Sequence, residues 1–137
     1  MQIHITKIRN KKVSRLTFVL VTLVSSVMTA CSDSTNKVSF SHDVFPILQS
    51  RCHECHLPGG QGFNTSGLSM VDYESLMKGT KFGPVIKPGD SLSSTLVVLV
   101  EGRADKSINM PHGDREPLTP NQISIIKSWI DQGAKKN

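Results

Sequence analysis

The chain contains few aromatic residues, few cysteines and no apolar run of membrane-spanning length. Aromatic side chains make up 5% of its 137 residues, and Cys occurs only 3 times. The most apolar stretch, Leu16 to Ala30, is shorter than the about 20 residues that a transmembrane helix needs. This stretch therefore does not predict a transmembrane helix, and any folded domain has to build its core with few large rings.

The excess of basic over acidic residues is confined to the start of the chain. There are 16 Lys and Arg residues against 11 Asp and Glu residues, a net charge of +5. Five of the basic residues and none of the acidic ones precede Leu16, so the charges of the remaining chain cancel. No basic stripe with interleaved aromatic residues is present. Nucleic acid is therefore not an expected partner.

The N-terminus has the pattern of a bacterial secretion signal. A basic segment is followed by the uncharged stretch that ends at Ala30, which predicts a signal peptide over residues 1–30. The residues Val27-Met28-Thr29-Ala30-Cys31 resemble a lipobox, with Met28 where Leu is usual. This resemblance implies cleavage before Cys31 and attachment of lipid to its thiol. The alternative is an ordinary signal peptide cut nearby, with Cys31 uninvolved.

The residues from Cys31 onward predict a short tether and one small domain. Residues 31–37 are polar and turn-prone after the lipidated Cys, as in a flexible tether. Residues 38–137 suffice for a single domain and contain no internal repeat. Export with a lipid anchor predicts a periplasmic, membrane-attached protein. Ser32 lacks the Asp that often retains lipoproteins at the inner membrane, so the outer membrane is favoured.

The segment Cys52-His53-Glu54-Cys55-His56 has the C-x-x-C-H spacing by which a c-type haem is attached. Two thiols at this spacing can add to the two vinyl groups of one haem, and His56 then stands where its imidazole can ligate the iron. With Cys31 assigned to lipid, no thiol remains for a disulfide. A zinc site is a poor alternative because no second ligand pair is present. A thiol–disulfide site would require a βαβ context, which the sequence does not show.

The sixth ligand of the iron is less sharply indicated. The candidates are Met70, Met77, Met110, His42, His53 and His112. Met110 is favoured because it lies in a Gly- and Pro-containing loop ahead of the last predicted helix, and His112 is its rival. The other Met residues are expected to fill the core. His53 is expected to point away from the ring and to be exposed. The carbonyl of Pro58 is suggested as the hydrogen-bond acceptor for the His56 N–H.

The first two predicted helices flank the C-x-x-C-H segment. The earlier one covers about Ser41 to Cys52, and Pro46 should separate or bend its first turn. The later one covers Asp72 to Lys78, with Asp72 as N-cap and Gly79 as the stop. The intervening stretch from Gly59 to Gly67 is expected to be a loop.

Two more helices are indicated in the C-terminal half. One covers about Ser91 to Glu101, although its run of branched apolar residues could also be a buried strand. The last begins at Thr119, which is followed by Pro at the first helical position and by Gln122 in a capping box, and it ends at Gly133. A long loop, Ile108 to Pro117, precedes it. The pattern predicts an all-α fold, a small bundle of three to five short helices with long loops wrapped around one covalent haem.

The scarcity of aromatic residues fits such a fold. After residue 30 the chain has only six aromatic residues, so a buried haem would supply apolar surface that the side chains lack. We therefore expect the haem-free chain to be poorly folded.

Taken in order, several segments resemble small mono-haem class I cytochromes c, and more closely the planctomycete-type cytochrome c domain. They are Asp43-Val44-Phe45-Pro46-Ile47-Leu48, Arg51 to His56, Gly67-Leu68-Ser69-Met70, Val85-Ile86-Lys87-Pro88-Gly89-Asp90 with Ser91-Leu92, Met110-Pro111, and Leu118 through Ala134. The likeness covers about 38–134. It implies one haem c, linked through Cys52 and Cys55 and ligated by His56 and Met110. His112 departs from the pattern, since Pro or Gly more often follows the Met-Pro pair.

The resemblance implies an electron-transfer protein rather than an enzyme. Its partners would be redox proteins of the periplasm, it would be attached to a membrane through Cys31, and a monomer is expected. The alternative is a haem sensor or a peroxidase-like domain with an open or His-ligated sixth position.

Overall fold

The computed structural model describes residues 36–137. The predicted signal peptide 1–30, Cys31 and most of the predicted tether lie outside the described residues. Those described form a π-helical turn and six short α-helices, and no strand occurs among them. The bounds are Phe40–Val44 for the π-helical turn, Phe45–Arg51 for α1, His53–His56 for α2, Gln61–Ser66 for α3, Tyr73–Lys78 for α4, Thr95–Val100 for α5 and Pro120–Asp131 for α6. The all-α class is confirmed, with more helices than the expected three to five. None of these helices is long and apolar enough to cross a membrane.

The first helix is divided where Pro46 predicts. Ser39 begins it, accepting a hydrogen bond from the N–H of His42 through its side chain. The chain winds as a π-helix over Phe40–Val44 and becomes α-helical at Phe45–Arg51, where Pro46 occupies the first turn. Because proline has no N–H to donate, it is tolerated only at such a start.

Two helix starts are confirmed in detail. The Asp72 side chain accepts from the N–H of Ser75 at 2.7 Å, which caps α4. The Thr119 hydroxyl accepts from the N–H of Gln122 at 3.2 Å, and the Gln122 side chain accepts from the N–H of Thr119 at 2.9 Å. These bonds satisfy backbone donors that a helix start leaves unpaired.

Two expectations need correction. The segment predicted as a helix over Ser91 to Glu101 is helical only over Thr95–Val100, since Ser91 to Ser93 form a turn. The Gly59 to Gly67 stretch, expected as a loop, contains α3. Gly67 ends that helix with a φ of 77°, a backbone conformation that costs glycine least.

The core lies between the first helix, α5 and α6. The π-helical turn packs against α1 and α6, and α5 packs against α6. Phe40 lies at the centre of an aromatic cluster, with its ring centroid 5.2 Å from that of Tyr73 and 5.3 Å from that of Trp129. The N–H of Ser41 donates to the carbonyl of Asn137 at 3.0 Å, which joins the start and the end of the domain.

Candidate functional site

One cavity of about 610 Å³ opens beside the C-x-x-C-H segment. Its walls include the residues singled out from the sequence, namely Cys52, Cys55, His56, Met110 and His112. The motif and the loop before α6 are distant in sequence, so folding brings the proposed fifth and sixth ligands into the same space.

The backbone around α2 explains why Cys52, Cys55 and His56 all face this cavity. Cys52 interrupts the helix between α1 and α2, with φ −125° and ψ −31°. Its carbonyl then accepts from the N–H of Cys55 at 3.1 Å and from the N–H of His56 at 2.9 Å. The tight turn that results presents both thiols and the imidazole to one side.

His56 is buried, and a hydrogen bond fixes its orientation. Its Nδ1 lies 3.3 Å from the carbonyl oxygen of Leu68. Because a carbonyl oxygen can only accept, Nδ1 carries the proton and Nε2 keeps its lone pair for a metal. The acceptor is thus Leu68, and the suggestion of Pro58 was wrong.

The surroundings of His56 and Cys52 favour the uncharged forms of the imidazole and of the thiol. Burial lowers the pKa of His56 below its ordinary 6.5, although the hydrogen bond to Leu68 opposes this effect and nearby His112 adds to it. Burial also raises the pKa of Cys52 to about 11, which outweighs the lowering by Arg51. The imidazole is therefore in the form that can ligate iron, and the Cys52 thiol keeps its proton at neutral pH.

The segment that follows α3 is bound to both histidines of the motif. The N–H of Met70 donates to the carbonyl of His56 at 2.9 Å, and His53 Nε2 donates to the carbonyl of Met70 at 2.9 Å. His53 is absent from the cavity wall, as expected, but it is half-buried rather than exposed. The only sequence signal for this contact was the Gly67 to Met70 segment of the resemblance.

The remaining candidates for the sixth position divide clearly. Met77 packs against the core and His42 is exposed, and neither lines the cavity. Met70 is buried in the core, with 2% of its surface exposed, although it also reaches the cavity wall. The core-filling role predicted for both Met residues agrees with these positions.

Met110 and His112 lie on a loop that has no regular secondary structure between α5 and α6. The N–H of Met110 donates to the carbonyl of Leu99 at 3.1 Å, which ties this point of the loop to the end of α5. Met110 is half-buried and His112 is exposed, and both line the cavity. Geometry therefore keeps both side chains as candidates.

Two arginines join this loop to the C-x-x-C-H segment, and no sequence pattern predicted these contacts. Arg51 Nη2 donates to the carbonyls of Glu116 at 2.6 Å and Pro117 at 2.7 Å. Arg115 forms a two-point ion pair with Glu54, at 2.7 Å from Nη2 to Oε1 and 3.3 Å from Nε to Oε2. The hydrogen bonds from Arg115, and then the positive charge of its guanidinium, lower the pKa of the Glu54 carboxyl.

The cavity fits a haem in volume, lining and donor set. Its volume lies within the about 300–1,000 Å³ of ligand pockets in general. Two thiols, an imidazole and a thioether are the donors that attach and ligate a c-type haem. Among residues 36–137, no three His, Cys, Asp or Glu side chains are grouped as the ligands of a bare metal ion would be. The wall as a whole is mostly apolar, and Leu68, Met70, Val85, Leu96, Leu99, Val100 and Leu118 are among the residues that line it.

A helical domain with a C-x-x-C-H turn on such a cavity has the features of the cytochrome c class. Residues 52–114 match the family described as Planctomycete cytochrome C. The resemblance identified from the sequence is thereby confirmed for this segment, and cytochrome c domains carry haem c and transfer electrons. No curated protein and no solved structure matches the chain significantly.

Proposed function

We propose that the protein is a one-electron carrier with a single covalently attached haem c. The observation that supports this most directly is the placement of Cys52, Cys55, His56 and Met110 on the wall of one cavity. When bound, the haem supplies an iron that gains or loses one electron. The proposal requires no acid–base group and no substrate site, so it is not a proposal of an enzyme.

On the proximal side, the chain holds and orients the fifth ligand. Cys52 and Cys55 would anchor the two vinyl edges, and His56 Nε2 would bind the iron. The hydrogen bond from His56 Nδ1 to Leu68 holds the ring against rotation and increases the basicity of Nε2. The buried surroundings exclude water and keep the imidazole uncharged.

On the distal side, we propose Met110 as the sixth ligand. Its backbone bond to Leu99 holds it beside the cavity, where it is half-buried, while His112 is exposed. A thioether favours reduced iron relative to a second imidazole, so Met ligation would raise the reduction potential. A filled sixth position would also keep small ligands from the iron, unlike that of a sensor or a peroxidase-like domain.

Electron exchange would take place at the mouth of the cavity with redox proteins of the periplasm. Phe82 lies on the cavity wall and 83% of its surface is exposed, so it stands where a partner would approach. We propose that the protein works as a monomer attached to the outer membrane through lipid on Cys31. The lipobox-like residues 27–31 support the lipid anchor, and Ser32, in place of the Asp that often retains lipoproteins at the inner membrane, supports the outer membrane. Replacing residues 1–31 with an ordinary cleavable signal peptide should release the protein from membranes into the soluble periplasmic fraction, whereas the lipidated chain should stay with the outer-membrane fraction.

The covalent attachment can be tested with protein made together with the c-type maturation machinery. The haem should resist acid–acetone extraction and form a reduced pyridine haemochrome of the c type, with one haem per chain by mass. Cys52→Ser with Cys55→Ser should lose the haem. An extractable haem, or none despite competent maturation, would disprove the proposal.

The sixth ligand can be tested by binding carbon monoxide to the ferrous protein. Met110→Ala should bind it rapidly and lose the sulfur-to-iron absorption band of the ferric form. His112→Ala and Met77→Ala should keep the slow binding of the wild type, since Met77 lies outside the cavity wall. If only His112→Ala accelerated carbon monoxide binding, His112 would be the sixth ligand. Rapid binding by the wild type would favour the sensor or peroxidase-like alternative.

A further inference from the structure

The segment between Met110 and α6 is held by very few interactions. Within the described chain, the hydrogen bonds that reach residues 111–118 are made by two side chains, those of Arg51 and Arg115. Leu118 is the one buried residue of the segment. Because an irregular segment has to lose backbone entropy to become ordered, these contacts determine how firmly it is held.

Arg51 binds the end of the segment that lies next to α6. It is the last residue of α1, directly before Cys52, and its side chain is 22% exposed. Its guanidinium donates to the carbonyls of Glu116 and Pro117 and lies 3.7 Å from the Glu116 carboxylate. Since the planar guanidinium presents several donors in a fixed geometry, it suits two adjacent carbonyls better than lysine would.

Arg115 binds the end of the segment that lies next to Met110. Its Nη1 donates to the carbonyl of His112 at 3.2 Å, while its other nitrogens pair with Glu54. Glu54 stands between the two cysteines of the motif. The ion pair therefore connects the turn that attaches the haem with the residues beside Met110.

We propose that Arg51 and Arg115 are positioning residues. They hold segment 111–118 to the haem-attachment turn, residues 52–56, and thereby keep Met110 at the sixth position of the iron. This inference depends on the proposed function, since it concerns the ligand of a haem. The contacts occur at both ends of the segment and both arginines also line the cavity. Losing them would let the segment swing and would expose the iron more often.

The test uses the haem-loaded protein and compares arginine variants. Ferrous Arg115→Met should bind carbon monoxide about threefold faster than the wild type, and Arg51→Met with Arg115→Met about tenfold faster, a change of about 1.4 kcal/mol. The sulfur-to-iron band of the ferric form should weaken in parallel. Exchanging the partners in Glu54→Arg with Arg115→Glu should restore part of the slow binding.

Arg103→Met is the matched control. Arg103 also joins a carboxylate and a carbonyl, at 2.6 Å from Glu101 and 2.9 Å from the Leu92 oxygen, but it does not reach the haem-attachment turn. A merely structural effect would lower the melting temperature of Arg103→Met and Arg115→Met alike and leave the binding rate unchanged.

The outcomes separate this inference from the proposed function. If the wild type is Met-ligated and the arginine variants bind carbon monoxide as slowly as Arg103→Met, the positioning role is disproved while the proposed function stands. If the wild type itself binds at once, Met110 ligation fails and the positioning role fails with it. If the double variant takes up no haem, Arg115→Met decides alone, because its side chain is 43% exposed and its loss should not prevent folding.

Discussion

Gly62 in α3 lies directly against the imidazole of His56. A Cβ added at Gly62 would stand 2.7 Å from His56 Cε1 and 2.9 Å from Nε2. Such contacts are shorter than van der Waals distances, so the side of the ring that bears the ligating nitrogen has room only because residue 62 has no side chain. Gly62 is therefore tied to the position of the proposed fifth ligand.

Gly62→Ala should destabilise the protein even though alanine suits helices better. Alanine gains about 1 kcal/mol over glycine inside a helix, but overpacking costs about 1–3 kcal/mol, and here it displaces the imidazole. We expect a net loss of about 1 kcal/mol in the free energy of unfolding, and less haem per chain, measured by denaturant titration and by absorbance. Asn64→Ala, an exposed position on the same helix, is the control. A Gly62→Ala protein as stable and as fully loaded as the wild type would contradict the prediction.

The contact between Gly62 and His56 shows what the sequence could not reveal. The C-x-x-C-H spacing was readable because it is local, and so was the start of α6 at Thr119, where both capping partners lie within one turn. The Leu68 carbonyl could not be predicted as the acceptor, because its position depends on how α3 packs back against α2. Helix α3 was itself missed because two of its residues, Gly62 and Asn64, have low helix propensity, and contacts with the motif override that preference.

The arginine contacts illustrate the same limit over a longer range. Arg51 and Glu116 are distant in sequence, and no periodicity links a guanidinium to a carbonyl of an irregular segment. Met110 could be chosen from its loop context, whereas the residues that hold its loop required coordinates. The local chemistry of the site was thus predictable, and the contacts between segments were not.

Replacing Trp129 should test the aromatic cluster separately from the site. Trp129 is 1% exposed, packs against Phe40 and donates from Nε1 to the carbonyl of Lys135 at 2.8 Å. Trp129→Ala should lower the free energy of unfolding by about 3–5 kcal/mol. Trp129→Phe keeps a ring and should lose about 1–2 kcal/mol, mostly the hydrogen bond. Since Trp129 does not line the cavity, the ferric spectrum of the folded Trp129→Phe variant should stay unchanged. An altered sulfur-to-iron band would mean that the aromatic cluster affects the haem site as well.

Asp90 should make the stability of the domain depend on acid pH. Hydrogen bonds from Lys87 and then from the hydroxyl and N–H of Ser93 lower the pKa of Asp90 below its ordinary 3.8. A lowered pKa in the folded state means that the unfolded chain takes up the proton first. The stabilisation is therefore complete above the ordinary pKa and is lost as the pH falls through the folded one.

Asp90→Asn should accordingly lower the melting temperature at pH 6, and its difference from the wild type should shrink as the pH approaches 3. Asn keeps an acceptor for Ser93 but loses the charge that holds Lys87 at 2.8 Å. Asp114→Asn is the control, since no hydrogen bond or ion pair of that carboxylate occurs within residues 36–137. A difference between Asp90→Asn and the wild type that does not change with pH would rule out the charge as its cause.

Removing the haem should unfold much of the domain. Without it, a cavity of about 610 Å³ with a mostly apolar wall would fill with water or collapse. Three of the four residues of α2, four of the six of α3 and four of the eight of segment 111–118 line this space. A domain of this size has little stability to spare, so the aromatic cluster by itself should not hold these segments.

Cys52→Ser with Cys55→Ser, made without haem, should show reduced helical circular dichroism. Its melting midpoint should lie about 15 °C or more below that of the loaded protein, equivalent to about 3 kcal/mol. Loaded wild type reduced to the ferrous state serves as the folded reference. A haem-free chain that melts cooperatively within a few degrees of that reference would mean that the side chains alone build the core.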